Sequence, residues 1–284
     1  MKTLHKLFSA TVLLAALTGC CHKPIAVNEV KLSKLSYKSV LKIDNEFKGK
    51  LSPELEKMVL KDHTALLITA RDKYLNSKHK DYTCTFAKLE HVNGNRIEQK
   101  SKVKFRVAPY SLYMKFIKGG APAKMMFYRE GKDVDSKTGK SQMIAAVPLF
   151  FKLVPFLKSP TDPMVMAKTL RPCTAFGFKN TFKNLIDIYQ LGQQNGDCTQ
   201  YVAGMTKVGG RDCVVILRKL GKNPAYPAAI TEICLDVETL LPLKIVGYDW
   251  NGKCTTLYTF TNVKFDRGLG DKDFSPKTYG IDHQ

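Results

Sequence analysis

Cysteine and histidine are the residue types in this chain whose chemistry could be catalytic or metal-binding. The sequence has eight cysteines and six histidines, but no C-x-x-C pair, and His63, His79, His91 and His283 lack metal-ligand spacing. The G-x-S-x-G, H-E-x-x-H and glycine-rich phosphate-binding motifs do not occur either. We therefore expect no catalytic residue, metal or cofactor. A Cys–His hydrolase stays as an alternative, because such partners meet in space rather than in sequence.

The first twenty residues predict export and lipidation. Lys2 and Lys6 precede an apolar stretch, residues 7–17, that falls short of the roughly 20 residues a bilayer-spanning helix needs. The stretch ends in Leu17-Thr18-Gly19-Cys20, which resembles the lipobox of bacterial lipoproteins. This resemblance implies a cleaved signal peptide, residues 1–19, and a membrane anchor of diacylglycerol and a fatty acid such as palmitate on Cys20. An ordinary signal peptide with a chance cysteine is the alternative.

The net charge narrows the set of partners. With 45 Lys+Arg against 25 Asp+Glu, the formal charge is +20, a balance that usually indicates nucleic acid. An exported protein does not meet cytoplasmic nucleic acid. The positive charge then serves either contact with an anionic membrane surface or solubility. The basic residues concentrate in a predicted tether, residues 20–51, and on one side of a predicted strand. That strand row either binds phosphate head groups or is simply solvated: Lys100, Lys102, Lys104 and Arg106.

The remaining chain, residues 52–284, is predicted to form one α+β domain. Ser52-Pro53-Glu54 is typical of a helix start, with helical periodicity to about residue 77 as one or two helices. From Asp81 the apolar period is two, with a hairpin turn at Asn93-Gly94. A second helix carries Phe182, Leu185, Ile186 and Tyr189 on one face. Further strands are predicted at residues 125–129, 199–207, 211–219, 229–237, 242–250 and 253–265.

Six cysteines remain beyond the lipobox region, and an even number in an oxidising compartment suits disulfide bonds. If residues 211–219 and 229–237 pair about a turn at Asn223-Pro224, Cys213 lies directly opposite Cys234, within bonding reach. We therefore predict that this pair is bonded. Reduced, buried thiols are the alternative. A second predicted bond joins the second helix to the following strand: Cys173–Cys198.

Several sequence blocks resemble a bacterial family known as domain of unknown function 1571, which is similar to the outer-membrane lipoprotein carriers and receptors (LolA/LolB type). The blocks are Asp81-Tyr82-Thr83-Cys84-Thr85, Tyr113-Met114-Lys115, Tyr128-Arg129-Glu130-Gly131-Lys132, Tyr248-Asp249-Trp250-Asn251-Gly252 and, in part, residues 236–243. The resemblance implies a curved, mostly antiparallel incomplete β-barrel whose concave face is covered by helices. Folds of this kind hold or sense acyl chains in that concavity.

We therefore expect a membrane-anchored envelope lipoprotein that binds a lipid acyl chain or a lipoprotein, with the outer membrane favoured over the inner. A sensor or adaptor that binds a protein partner is the alternative, and the oligomeric state stays open. The predicted ligand-binding residues alternate along two strands: Val103, Phe105, Val107, Leu112, Met114 and Phe116. The most apolar segment, residues 145–157, is predicted to be a lid or a membrane-touching loop through Phe150, Phe151 and Phe156.

Overall fold

The computed structural model describes residues 51–282. The predicted signal peptide, the lipidation site Cys20 and residues 20–50 of the tether lie outside the described residues. Leu51, the last tether residue, is 6% exposed and belongs to the hydrophobic core. The residue directly before the predicted helix cap therefore packs with the domain.

The predicted N-terminal helical region is two helices, α1 (Pro53–Lys61) and α2 (His63–Asn76). The Ser52 hydroxyl accepts a hydrogen bond from the Leu55 amide at 3.2 Å, which confirms Ser52 as the N-cap of α1. Asp62 separates the two helices and caps α2, since its Oδ1 accepts from the Thr64 amide at 2.7 Å. Two further helices follow much later, the single turn α3 (Pro163–Met166) and the long α4 (Phe178–Gln194).

Within residues 51–282, eleven strands form one antiparallel sheet. They occur in the order β6-β5-β4-β3-β2-β1-β11-β10-β9-β8-β7, so β6 and β7 lie at its two ends and the sheet stays open. This confirms the expected α+β architecture of a mostly antiparallel, unclosed sheet with helices. The bounds are β1 Asp81–Val92, β2 Asn95–Arg106, β3 Ser111–Lys118, β4 Met125–Arg129, β5 Met143–Leu149, β6 Lys152–Lys158, β7 Cys198–Val208, β8 Arg211–Leu220, β9 Ile230–Asp236, β10 Pro242–Tyr248 and β11 Cys254–Phe265.

One face of the sheet, here called the inner face, packs on the helices and forms the main core. Tyr82 of β1 lies 5.2 Å, centroid to centroid, from Phe178 of α4, and Phe178 lies 5.0 Å from Phe260 of β11. The residues predicted for the apolar side of the second helix are all buried there: Phe182, Leu185, Ile186 and Tyr189. Aromatic pairs of this kind add stability beyond their buried area.

The opposite, outer face carries the predicted basic row of β2. Lys104 and Arg106 pair with Asp273 at 2.6 Å and Asp271 at 2.8 Å, both in a short 3-10 turn, Asp271–Phe274. Lys102 donates to the Thr85 hydroxyl at 3.0 Å, and Lys100 is exposed. Half of this row therefore binds the C-terminal part of the chain itself.

The predicted cysteine register is wrong by two residues. Cys213 lies opposite Asp236, and Cys234 lies opposite Val215, so the two cysteines are diagonal rather than directly facing. The turn is longer than Asn223-Pro224 alone, because the Leu220 amide bonds to the Ala229 carbonyl and residues 221–228 loop out. No disulfide links the six cysteines at residues 51–282.

The predicted Cys173–Cys198 bond is absent for a different reason. Cys173 precedes the N-terminus of α4, and Cys198 follows its C-terminus. A helix of 17 residues spans roughly 25 Å. Disulfide-bonded Cα atoms lie no more than about 7 Å apart, so a straight α4 keeps these two apart.

The apolar segment 145–157 forms most of the β5–β6 hairpin at one end of the sheet. Phe150 and Phe151 occupy its turn, and their exposed fractions are 91% and 104%. None of the helices within residues 51–282 combines the length and apolar character needed to cross a membrane.

Candidate functional site

A cavity of about 460 Å³ lies between the inner face of the sheet and the chain that leads into α4. We call residues 163–177, which include α3 and a 3-10 turn at Cys173–Ala175, the strap. The cavity is lined on the sheet side mainly by aromatic and methionine side chains from five strands: Phe86, Met114, Phe116, Met126, Met143 and Phe260. Methionine adapts to irregular apolar shapes, so this lining suits a flexible apolar ligand.

Aromatic packing and hydrogen bonds fix the C-terminal part of the strap. Phe176 meets Phe86 edge to face, with ring centroids 5.2 Å apart. The Tyr110 hydroxyl donates to the Cys173 carbonyl at 2.6 Å and lies 3.2 Å from the Phe176 carbonyl. Gly177 has φ +104°, and a Cβ there would lie 2.9 Å from Phe105 Cζ, so the strap joins α4 through a backbone that favours glycine.

A buried ion pair on β1 holds the middle of the strap. Lys88 Nζ lies 2.7 Å from Glu90 Oε2, and the two side chains are 8% and 1% exposed. Lys88 also donates to the Thr169 hydroxyl at 2.7 Å, while Glu90 accepts from the Leu170 amide at 3.1 Å. Tyr258 donates to the other Glu90 oxygen at 2.6 Å. Burial lowers the pKa of Lys88, and the neighbouring Glu90 carboxylate opposes that shift.

Basic side chains are in excess around the cavity. Its lining includes four cations and two carboxylates. Arg96, Lys168 and Arg171 are exposed, as are Ala121 and Pro122, so these residues mark the mouth. The cavity thus has a mainly apolar interior, which includes the paired Lys88 and Glu90, and an excess of positive charge at its entrance.

The predicted ligand-binding residues divide into three groups. Met114 and Phe116 line the cavity. Val103 and Leu112 lie on the same inner face but are 2% and 0% exposed within the core. Phe105 and Val107 line a second cavity of about 780 Å³ on the other side of the strap, and Val107 is 40% exposed. Two strap residues line both cavities: Phe176 and Gly177.

The predicted lid residues are not among those that line either cavity. Phe150 and Phe151 form the hairpin turn, and Phe156 of β6 is 46% exposed. Strap residues Val165, Cys173 and Phe176 line the first cavity instead. The strap has prolines and only one helical turn, so it offers no periodicity from which a cover could be predicted.

Sequence reasoning also missed Lys88, Glu90 and Arg171. A signal existed for the first two, because they continue the inner-face alternation of Tyr82, Cys84 and Phe86. Charged residues on an apolar strand face must find buried partners, which makes them site candidates. Arg171 has no local signal, since only the fold brings it to Tyr258 of β11, with its guanidinium 5.5 Å from the ring centre.

The thiols and imidazoles of the described chain do not form a nucleophile–base pair. Burial raises the pKa of every described cysteine, to about 11 in Cys198 and about 12 in Cys173. Thiols in such sites stay protonated and are poor nucleophiles. Within residues 51–282 no cysteine is hydrogen-bonded to a histidine. Across the same residues, no three His, Cys, Asp or Glu side chains cluster to hold a metal ion.

A comparison with protein-family models shows which family the chain belongs to. Residues 79–280 match the model of a protein of unknown function, DUF1571. The chain belongs to this family. That confirms the resemblance drawn from the sequence blocks. A comparison with curated proteins finds no match.

Several solved structures are similar to this DUF1571 protein. A DUF1329 family protein from Desulfovibrio piger is 14% identical with TM-score 0.36, covering 75% of this chain and 97% of that one. Lipoprotein LppX from Mycobacterium tuberculosis is 11% identical with TM-score 0.38, covering 74% and 99%. A LolA superfamily protein from Nitrosomonas europaea is 10% identical with TM-score 0.23, covering 75% and 97%.

Proposed function

We propose that this protein is a lipoprotein of the bacterial envelope, anchored through Cys20, whose DUF1571 domain binds a lipid acyl chain without catalysing a reaction. The observation that carries the proposal is the cavity beneath the strap. Its volume of about 460 Å³ falls in the range of ligand-binding pockets, and Met and Phe side chains make up most of the apolar lining on its sheet side. The lipobox supports the anchor and the envelope location, with the outer membrane favoured.

A cavity-filling variant tests the binding function. Ala145 of β5 lines the cavity, whereas Ala87 of β1 lies on the outer face, opposite Lys100 and Thr259. Both are half-buried alanines in strands. Ala145→Phe should reduce acyl-chain occupancy, and Ala87→Phe is the matched control.

The measurement is native mass spectrometry with lipid extraction of the purified chain carrying Cys20→Ala. We expect co-purifying or added acyl ligands on the parent and on Ala87→Phe, and loss of them on Ala145→Phe. A folded parent that binds no acyl ligand contradicts the proposal. If the same protein retains a defined envelope protein, the adaptor function takes its place.

We further propose that the β5–β6 hairpin touches the membrane to which the protein is anchored. Leu149, Phe150 and Phe151 are 51%, 91% and 104% exposed at its turn. Lys152 follows them directly and is also exposed, so an apolar tip stands beside a cation that anionic lipid attracts. Exposed aromatic residues next to basic ones are typical of interfacial membrane contacts.

A flotation assay tests this contact with vesicles of mixed anionic and zwitterionic lipid and the chain carrying Cys20→Ala. Replacing Phe150 and Phe151 with Ser should reduce vesicle binding. The control replaces Val134 and Met164, also exposed apolar residues, with Ser. Equal binding of the two double variants would remove the hairpin from the membrane contact.

A further inference from the structure

The cations at the mouth of the cavity suggest which amphiphile it takes. We propose that the cavity selects a single-chain amphiphile with an anionic head group, which Arg171 and Lys168 of the strap bind at the entrance. The inference rests on the proposed function, because it assumes that the apolar interior holds the chain. It adds the charge of the ligand's head group and the number of its acyl chains, neither of which the apolar lining alone defines.

The ion pairs around the cavity show which charges are available. Lys88 is paired with Glu90 at 2.7 Å, and Arg96 with Glu98 at 2.6 Å. Glu98 also binds Lys118 at 3.0 Å, so both carboxylates of the lining are already paired. Lys168 and Arg171 pair with no carboxylate anywhere in the described part of the chain. Two positive charges at the mouth are therefore open to an anion.

The Tyr258 ring positions Arg171 at the mouth. The guanidinium lies over the ring, 5.5 Å from its centre, and the Tyr258 hydroxyl donates to Glu90 at 2.6 Å. The Thr169 hydroxyl donates to the Arg171 carbonyl at 3.0 Å, which holds the local strap backbone. A guanidinium held by an aromatic face keeps its N–H groups for bidentate contact with a carboxylate or phosphate.

The volume indicates one chain rather than several. A cavity of about 460 Å³ lies in the lower half of the range of small-molecule pockets, roughly 300–1,000 Å³. That size suits one acyl chain, with its head group left at the mouth beside the two cations.

The experiment measures the affinity of three ligands with the same sixteen-carbon chain for the full chain carrying Cys20→Ala. Palmitate has a carboxylate head, 1-palmitoyl lysophosphatidic acid has a phosphate head, and monopalmitoylglycerol is neutral. The variants are Arg171→Gln, Lys168→Gln and Arg171→Lys. The control is Lys253→Gln, because Lys253 is also exposed but does not line the cavity.

For Arg171→Gln we expect a loss of about tenfold in affinity for the anionic ligands and an unchanged affinity for monopalmitoylglycerol. Arg171→Lys should recover part of that loss, and Lys253→Gln should match the parent. The carboxylate and phosphate arms show which head group the two cations prefer.

The outcomes separate this inference from the proposed function. If all three ligands bind alike and Arg171→Gln and Lys168→Gln change nothing, the head-group inference is wrong while acyl binding stands. If none of the three ligands binds the folded parent, the proposed function itself is wrong. A loss in Arg171→Gln that is equal for neutral and anionic ligands would assign Arg171 a structural role only, and would also overturn the inference.

Discussion

Removing the Glu90 carboxylate should loosen the strap and destabilise the whole domain. Glu90 is 1% exposed and accepts from Lys88 Nζ, Tyr258 Oη and the Leu170 amide at 2.7, 2.6 and 3.1 Å. Glu90→Leu leaves the Lys88 ammonium, 8% exposed, with only the Thr169 hydroxyl. Breaking a buried pair from one side typically costs 3–5 kcal/mol, so we expect the free energy of unfolding to fall by about 4 kcal/mol.

The double variant Lys88→Met/Glu90→Leu separates charge from hydrogen bonding. It removes both buried charges, which is often near neutral, but the Leu170 amide and Tyr258 hydroxyl still lose their acceptor. We expect it to cost about 2 kcal/mol, less than Glu90→Leu alone. That difference would show that the interaction between Lys88 and Glu90 stabilises the native protein.

Urea unfolding followed by circular dichroism measures these costs, and hydrogen exchange reports on the strap. The Leu170 amide should lose its protection from exchange in both variants. Under conditions in which the variants stay folded, the amides of β8 should keep their protection, because β8 is remote from the strap in the sheet order. Simple additivity of the Lys88→Met and Glu90→Leu costs would refute the coupling. Unchanged protection at Leu170 would refute the role of Glu90 in holding the strap.

Three further predictions concern single residues. Gly177→Ala should lower the free energy of unfolding, measured in urea, by about 2 kcal/mol, because φ at Gly177 is +104° and Phe105 lies 2.9 Å from the new Cβ. The control Gly131→Ala, at a position with positive φ but open space around it, should lower it less. Phe176→Ala, which removes a side chain lining both cavities, should shift acyl binding toward longer chains in a chain-length titration; an unchanged length preference would contradict this. Burial lowers the pKa of His63 from 6.5 to about 4. Because the unfolded chain then binds a proton that the folded chain does not, the free energy of unfolding should fall by about 3 kcal/mol as the pH drops from 6.5 toward 4. His63→Asn should remove that loss when unfolding is measured as a function of pH.

Local patterns were sufficient to predict most of the strands and helices. Asn93 and Gly94 both have positive φ, as the predicted tight hairpin requires. The predicted strand at residues 125–129 is β4, and the predicted helix cap Ser52 is observed. In each case the decisive interactions join residues close in sequence, so alternation, turn type and cap identify them.

The site depended on contacts that no local pattern encodes. The β8–β9 register differs from the prediction because residues 221–228 loop out, and loop length is invisible to alternation. The strap reaches β1 through Leu170 and Thr169, about eighty residues from Glu90 and Lys88. Only the strand-face position of Lys88 and Glu90 hinted that a partner from elsewhere must cover them.

The ion pairs made by the basic row on β2 change how the excess of positive charge is interpreted. Lys104 and Arg106 looked like a surface for anionic lipid, but Asp273 and Asp271 pair with them and fasten the C-terminal turn over the outer face. Reversing the charge of that row would therefore disturb packing as well as any lipid contact, so such a variant cannot identify a lipid site. Lys168 and Arg171 have no acidic partner in the described chain and stand at the mouth of an apolar cavity. Where a cation lacks a carboxylate beside an apolar void, an anionic amphiphile satisfies both at once. Arg106 of the β2 row also lines a cavity, the second one, but it already pairs with Asp271.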